Sequence, residues 1–319
     1  MKDNLEFAGL TVEPGQSLRE MLPIRVAGVN VSLPIFLING AGTGPTLCIT
    51  AGIHGSEYPC VESALRLGQT LDPATLQGQV IIVPIANPVA FAARSIYVTP
   101  PDGKNLNRQF PGNSQGTFSQ ALAYWLFNNV IRRGDYYIDL HGGDMIEALL
   151  PFGSYFQTGN DKVDRAAEGM AKSFGLPYLV LSDRKAIAGA THMEAAEAGV
   201  PAILEEAGGQ GVWDDETVQI LTDGLHRVLA HLEMTAPVPA VSEPKRLEAW
   251  SWLRSEHNGV YYPAVKVGEH VTVGQDLGRV ADVFGNTLQS LQAPRNGVVL
   301  FLVTSLAMNS GDPLLAIAE

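Results

Sequence analysis

The sequence predicts an α/β protein, with a mostly parallel or mixed central sheet flanked by helices and a smaller all-β domain after it. Three observations lead there. Apolar runs of strand length, at 46–53 and 80–86, alternate with segments of helical apolar spacing. A Pro-rich stretch at 235–244 interrupts the alternation. Beyond it lie short strands separated by Gly and Asn, with no helical period.

The elements follow in order. Residues 1–45 are rich in Val, Leu, Ile, Gly and Pro and read as strand and turn, clearest over 25–40, with Gly42-Thr43-Gly44-Pro45 as punctuation. The run 46–53 is the first buried strand, 61–71 a helix and 80–86 (Val-Ile-Ile-Val-Pro-Ile-Ala) another buried strand. Residues 119–133 form a helix striped by Leu122, Trp125, Leu126 and Val130. A strand at 136–140 precedes a helix at 161–174, which Gly175 stops. A short strand at 179–181, a helix at 193–198, a strand at 202–206 and a long amphipathic helix at 214–232 complete a first domain, 1–236. Strands alternating with helices imply a sheet covered on both faces. A linker at 237–246 leads to the β domain, 247–319.

Inside that domain, 265–278 has an echo at 306–315. The pattern resembles the lipoyl/biotinyl carrier barrel, which presents a modified Lys on its central hairpin. Here the hairpin falls near Asp282-Val283-Phe284-Gly285, and no Lys follows Lys266. The tail therefore reads as a structural barrel or sandwich without a swinging arm.

Composition narrows the function. Apolar residues make up 46%, enough for a sizeable core, and the 17% charged fraction contains no long charge run. A net charge of −12 argues against nucleic acid or an anionic membrane as partner, because phosphate binding needs a basic surface. No window reaches 18 continuous apolar residues, and the N-terminus has no signal-peptide stretch. Cys48 and Cys60 read as reduced core residues. The expected setting is cytoplasmic, and a homo-oligomer is compatible with the sequence.

The chemistry starts at His54-Gly55-Ser56-Glu57, where a buried strand ends. Positions i and i+3 share one side of a first helical turn, so an imidazole and a carboxylate can hold one ion together. Zinc accepts both donor types, and a catalytic site usually has three protein ligands. His141 closes a second apolar run, followed by Gly142 and Gly143, and is the candidate third ligand. Functional groups collect at the carboxyl ends of strands in such sheets.

His54-x-x-Glu57, Asn87-Pro88, Asn105-Leu106-Asn107-Arg108-x-Phe110-Pro111-Gly112, Asp139-Leu140-His141 and Glu206-Ala207-Gly208-Gly209 occur in one order. Together they resemble the succinylglutamate desuccinylase/aspartoacylase family, related to the zinc carboxypeptidases, over nearly the whole chain. The resemblance implies a zinc carboxypeptidase-like fold and one zinc ion per chain, held by His54, Glu57 and His141. It implies Glu206 as the residue that activates water, Asn107 and Arg108 as the grip on a substrate carboxylate, and Arg94 as the group that polarises the scissile carbonyl.

The expected reaction is hydrolysis of the amide of a small, carboxylate-bearing N-acyl amino acid. Arg makes a planar two-pronged contact with carboxylates, although in isolation Arg108 also reads as a solvated ion-pair partner. Glu205 precedes Glu206, and successive strand residues face opposite ways, so one serves the site and the other is structural. Asp139 either orients His141 or is a hydrogen-bonded buried carboxylate. Asp102 pairs with Arg94 or Arg108, or terminates the turn at 100–103. His192 lines the pocket or merely starts a helix. Tyr155 and Phe156 flank the pocket or pack. His226, His231, His257 and His270 carry no evident chemistry. Competing readings are a metallocarboxypeptidase on short or cell-wall peptides, an N-acetyl-diaminobutyrate-type deacetylase and a non-catalytic binding protein.

Overall fold

The computed structural model describes residues 3–248 and 250–319. A nine-stranded sheet forms its centre. From edge to edge the strands are Lys245–Leu247, Tyr178–Leu181, Phe152–Tyr155, Ala202–Glu206, Tyr136–His141, Gly42–Thr50, Gln77–Val83, Val29–Asn39 and Gln16–Val26. The middle of the sheet is parallel: Ala202–Glu206, Tyr136–His141, Gly42–Thr50 and Gln77–Val83 pair in turn. The hairpin Gln16–Val26/Val29–Asn39 adds antiparallel strands at one end, and Phe152–Tyr155 runs antiparallel to Ala202–Glu206. The sheet is therefore mixed, with helices on both faces.

Alternation along the strands builds those two faces. Cys48 joins a core layer with Leu122, Leu126 and Phe127 of the helix Phe118–Asn129, while Leu47 and Ile49 point the other way. There they meet the layer holding Leu67, Met170, Phe174 and Leu225 of the helices Tyr58–Thr70, Asp161–Phe174 and Asp215–His231. Leu47 and Ile49 are fully buried, and each such side chain contributes about 1.5–3 kcal/mol of transfer free energy. Cys48 and Cys60 are buried and free.

Several boundaries differ from the sequence reading. Gly42-Thr43-Gly44-Pro45 does not punctuate. It belongs to the strand, whose register shifts between Gly42 and Thr46, an irregularity that accommodates a proline. The strand expected at 80–86 ends at Val83, because Pro84 has no N–H for the ladder. The first helix starts at Tyr58, with Pro59 in its opening turn. Residues 119–133 divide into the helix Phe118–Asn129 and a 3-10 turn, Ile131–Arg133. Helix Pro88–Ala93 and strand Phe152–Tyr155 had not been anticipated.

The C-terminal region is antiparallel. One sheet holds Trp250–Arg254, Pro313–Ala318, Gly297–Val303 and His270–Val271, and the other holds Thr287–Gln292, Asp276–Ala281, Gly259–Pro263 and Ala307–Met308. The turn after Asp276–Ala281 carries Asp282 to Gly285, with Phe284 exposed. Strand pairing ties this region to the rest in both directions. Lys245–Leu247, expected at the end of the linker, is an edge strand of the central sheet, and Glu147–Leu149 pairs with Gly297–Val303.

Candidate active site

The carboxyl ends of three parallel strands, Gly42–Thr50, Tyr136–His141 and Ala202–Glu206, meet at one cavity of about 590 Å³. His54 sits in the turn after the first of them. Asn87 holds that turn. Its Nδ2 donates to Ile53 O at 3.2 Å and to Thr99 Oγ1 at 2.9 Å, while its Oδ1 caps helix Pro88–Ala93 by accepting from Ala90 N. Gly55 lies so close to that helix that a Cβ would stand 2.2 Å from Ala90 O. The Asn-Pro motif and the glycine of His54-Gly55 thus form one packing unit that aims His54.

Glu57 occupies the N-cap of Tyr58–Thr70, where helix dipoles favour a carboxylate. Its Oε1 is 2.6 Å from His54 Nδ1, and its Oε2 is 3.0 Å from His141 Nδ1 and accepts from Gly142 N at 3.3 Å. The two rings stand 5.0 Å apart, centroid to centroid. Both Nε2 positions are occupied as well. His54 Nε2 faces Asn105 Oδ1 at 3.1 Å, and His141 Nε2 faces Asp139 Oδ2 at 2.9 Å. Acceptors at both Nε2 atoms select the Nε2–H tautomer and leave each Nδ1 lone pair turned to Glu57.

The ligand atoms of His54, Glu57 and His141 lie within 4.8 Å of one another. Two nitrogens and a carboxylate are a zinc donor set, and the electrostatics favour positive charge at that point. Burial opposes protonation of His54 and of His141, yet Glu57 beside His54, and Asp139 and Glu57 beside His141, raise both imidazoles above their ordinary value. Burial likewise opposes ionisation of Glu57, but His54 and His141 outweigh it and lower its carboxyl to about 2. Asp139 is fully buried and, against the cost of burial, is held below the usual carboxylate range by His141 and the hydroxyls of Thr191 and Thr50. Its bond to His141 Nε2 orients that ring, and it lies on a central strand of the sheet, not at an edge.

Glu206 is the register partner of His141 on the neighbouring parallel strand, and it lines the cavity. Glu205, one residue earlier, is fully buried away from it. Burial pushes the Glu206 carboxyl well up, against the pull of His141 and with the push of Glu57, Glu147 and Asp139. A dication among those carboxylates would favour its ionised form.

Asn107 and Arg108 lie on a 3-10 turn, Leu106–Arg108, and both line the cavity. Arg108 Nη1 donates to Asn107 O at 2.7 Å, and Arg108 makes no ion pair among the described residues. Arg94 is not brought to the site. It is the exposed C-cap of helix Pro88–Ala93, at φ +52°, outside the cavity wall, because the helix ends there and turns the side chain to solvent. Asp102 pairs with neither arginine. It accepts from Ser119 N and Oγ, both at 2.8 Å, and from Lys104 N at the turn. His192 lines the wall, fully buried, with Nε2 2.7 Å from Ser182 Oγ, and burial lowers it to about 3, so it is neutral. Tyr155 is core.

The sequence reading missed Asn105, Tyr97, Glu147, Trp250, Trp252 and Arg254, all of which line the cavity. Asn105 had a signal: it sits two residues before Asn107 in the same motif. The aromatic wall of Trp250 and Trp252 had none, because it arrives from the C-terminal region.

A mixed α/β scaffold with a His-Glu-His cluster at its strand ends is the class that fold and site define. Residues 43–232 match the succinylglutamate desuccinylase/aspartoacylase catalytic domain, and the chain belongs to that family. It is 30% identical over 298 residues to the N-alpha-acetyl-L-2,4-diaminobutyric acid deacetylase of Halomonas elongata, covering 91% of this chain and 86% of the relative. Among solved structures it resembles the product-bound ectoine utilization protein EutE (DoeB) of Ruegeria pomeroyi, at a TM-score of 0.87, 26% identity and 95% coverage of both chains. A succinylglutamate desuccinylase/aspartoacylase of Rhodobacter sphaeroides superposes at 0.85, with 25% identity and 95% coverage of each. The Halomonas relative is named as a deacetylase and the Rhodobacter structure as a desuccinylase/aspartoacylase. No helix among the described residues is long and apolar enough to cross a membrane.

Proposed function

We propose that this chain hydrolyses the amide of a small N-acyl amino acid with one zinc ion held by His54, Glu57 and His141. The observation that carries it is the convergence of two Nδ1 atoms on Glu57, with both Nε2 atoms tied back, in a cavity that also holds Glu206 and Arg108. When bound, zinc supplies Lewis acidity for a carbonyl oxygen and acidifies water.

The protein's own groups do the rest. Arg108 receives the substrate carboxylate with its planar donors, and Asn107 adds its amide N–H. Glu206 accepts a proton from the attacking water as the C–O bond forms, then returns it to the leaving nitrogen as the C–N bond breaks. Trp250 and Trp252 wall the cavity, whose volume suits a small molecule better than a long peptide. The likeness to a diaminobutyrate deacetylase favours an N-acetylated diamino acid within this class. The zinc carboxypeptidase-like plan of the first domain and its boundary at 237–246 belong to the same proposal. Metal analysis after loading tests the ligand set. One zinc per chain is expected, with stoichiometric binding lost in His54→Ala and His141→Ala, and zinc retained by both variants would contradict it.

A further inference from the structure

Thr191 is buried, carries no charge and belongs to none of the motifs, yet it touches both halves of the site. It opens helix Thr191–Glu197, so its N–H is one of the first-turn donors with no partner inside the helix. That N–H donates to Asn107 Oδ1 at 2.9 Å. Its hydroxyl donates to Asp139 Oδ2, the oxygen that also accepts from His141 Nε2. Thr191 is fully buried, so neither bond competes with water.

Each bond decides something. The amide of Asn107 has two ends, and a donor at 2.9 Å fixes the oxygen as the end that faces Thr191. Its Nδ2 then lies 3.2 Å from His141 Nε2. Because His141 Nε2 already donates to Asp139, the Asn107 N–H groups stay available to the cavity. On the other side, Asp139 Oδ1 accepts from Thr50 Oγ1 at 2.7 Å. Thr50 spends its one proton there, so Tyr137 OH, 2.5 Å from Thr50 Oγ1, donates to Thr50. Thr50 and Thr191 thus grip the two oxygens of Asp139 separately, and the plane of that carboxylate sets the His141 ring.

A closed circuit results. It runs Asn105–His54–Glu57–His141–Asp139–Thr191–Asn107 through polar contacts, hydrogen bonds except at Glu57, where the two Nδ1 lone pairs face the carboxylate, and returns along the chain from Asn107 to Asn105. We propose that Thr191 is a positioning residue that sets the metal ligand His141 through its hydroxyl and the substrate-facing amide of Asn107 through its backbone N–H. This rests on the zinc deacylase reading above.

Three substitutions separate the two arms. Thr191→Ser keeps both donors. Thr191→Val keeps the shape and the N–H but lacks the hydroxyl. Thr191→Pro lacks both donors, and proline suits the first position of a helix, with Ala190 before it already extended at ψ 143°. Zinc affinity is measured by competition with a chelator, and KM for an N-acyl amino acid is measured at saturating zinc. Loss of a group bonded directly to a metal ligand typically weakens metal binding about 10–100-fold; the Thr191 hydroxyl acts one bond further out, through Asp139, so about tenfold is expected for Thr191→Val, with KM unchanged. Relative to Thr191→Val, Thr191→Pro should raise KM about fivefold to tenfold, the value of one buried hydrogen bond, without a further drop in zinc affinity. Thr191→Ser should match the wild type in both. Wild-type zinc affinity in Thr191→Val would overturn the hydroxyl arm, and equal KM in the Val and Pro variants would overturn the N–H arm. A wild-type chain that binds zinc but cleaves no N-acyl amino acid would contradict the proposed function instead. The zinc comparison still decides the hydroxyl arm in that case.

Discussion

Replacing Glu205 with Met should make the protein more stable, and more so as the pH rises. Glu205 is fully buried, neither carboxyl oxygen has a hydrogen-bond partner among the described residues, and its tip packs against Gly153. Burial, with a smaller push from Glu206, holds its carboxyl well above the usual carboxylate range. The sign follows from linkage. In the unfolded chain Glu205 releases its proton near pH 4.3, while in the fold it stays protonated, so the unfolded state binds fewer protons and stability falls as pH rises. Each pH unit over which the folded acid stays neutral while the unfolded one is ionised costs about 1.4 kcal/mol. The unsatisfied buried carboxyl adds the desolvation cost of its polar group, about 1–3 kcal/mol. Methionine has similar length and no charge to bury. Thermal or urea unfolding of the chelator-treated protein at pH 5 and pH 7 is the assay. Glu205→Met should gain about 2–4 kcal/mol at pH 7 and less at pH 5. Glu205→Gln should remove the share of the pH dependence that comes from Glu205 but gain less, because it buries an unpaired amide. A Met variant less stable than the wild type, or a gain that does not change with pH, would show that Glu205 is not held neutral and unpaired in the fold.

Other outcomes follow from the same geometry. Arg108→Ala should raise KM about 10–150-fold, the worth of a charged hydrogen bond of about 1.5–3 kcal/mol, while zinc binding is kept. Steady-state kinetics alongside metal analysis check this. Arg94→Ala should leave kcat/KM at the wild-type level, because Arg94 is exposed and outside the cavity; a large loss would restore the role that the family resemblance implies for it. Gly189 has φ +81°, and a Cβ there would stand 2.6 Å from Arg108 O. Gly189→Ala should therefore push the turn that carries Arg108 and raise KM with little change in zinc affinity.

What was legible in the sequence was local. Helix Asp161–Phe174 carries its own start, Asn160 accepting from Lys162 N, and ends at Gly175, so both ends could be read from the chain. Strand Ala202–Glu206 was equally plain as a β-branched and apolar run closing on two glutamates. Strand Phe152–Tyr155 was not, since Phe-Gly-Ser-Tyr has neither apolar length nor alternation and is defined by its neighbours. The three ligand candidates and Glu206 were readable because each closes a strand or follows one. Arg94, nominated by the resemblance alone, lies outside the cavity because direction there is set by a helix that ends in a left-handed residue. Thr191 was invisible, since both of its bonds reach residues distant in sequence, Asn107 and Asp139. Trp250, Trp252 and Arg254 reach the cavity only because the β region folds back on the sheet.

The measurement that bears most directly on the central claim is amine release by the zinc-loaded protein across a panel of N-acyl amino acids, with short peptides and the Glu206→Gln variant alongside. Turnover of at least one N-acyl amino acid is expected, lowered about 10²–10⁴-fold in Glu206→Gln while zinc stays bound. Turnover of peptides alone, or near-normal turnover in Glu206→Gln, would contradict it.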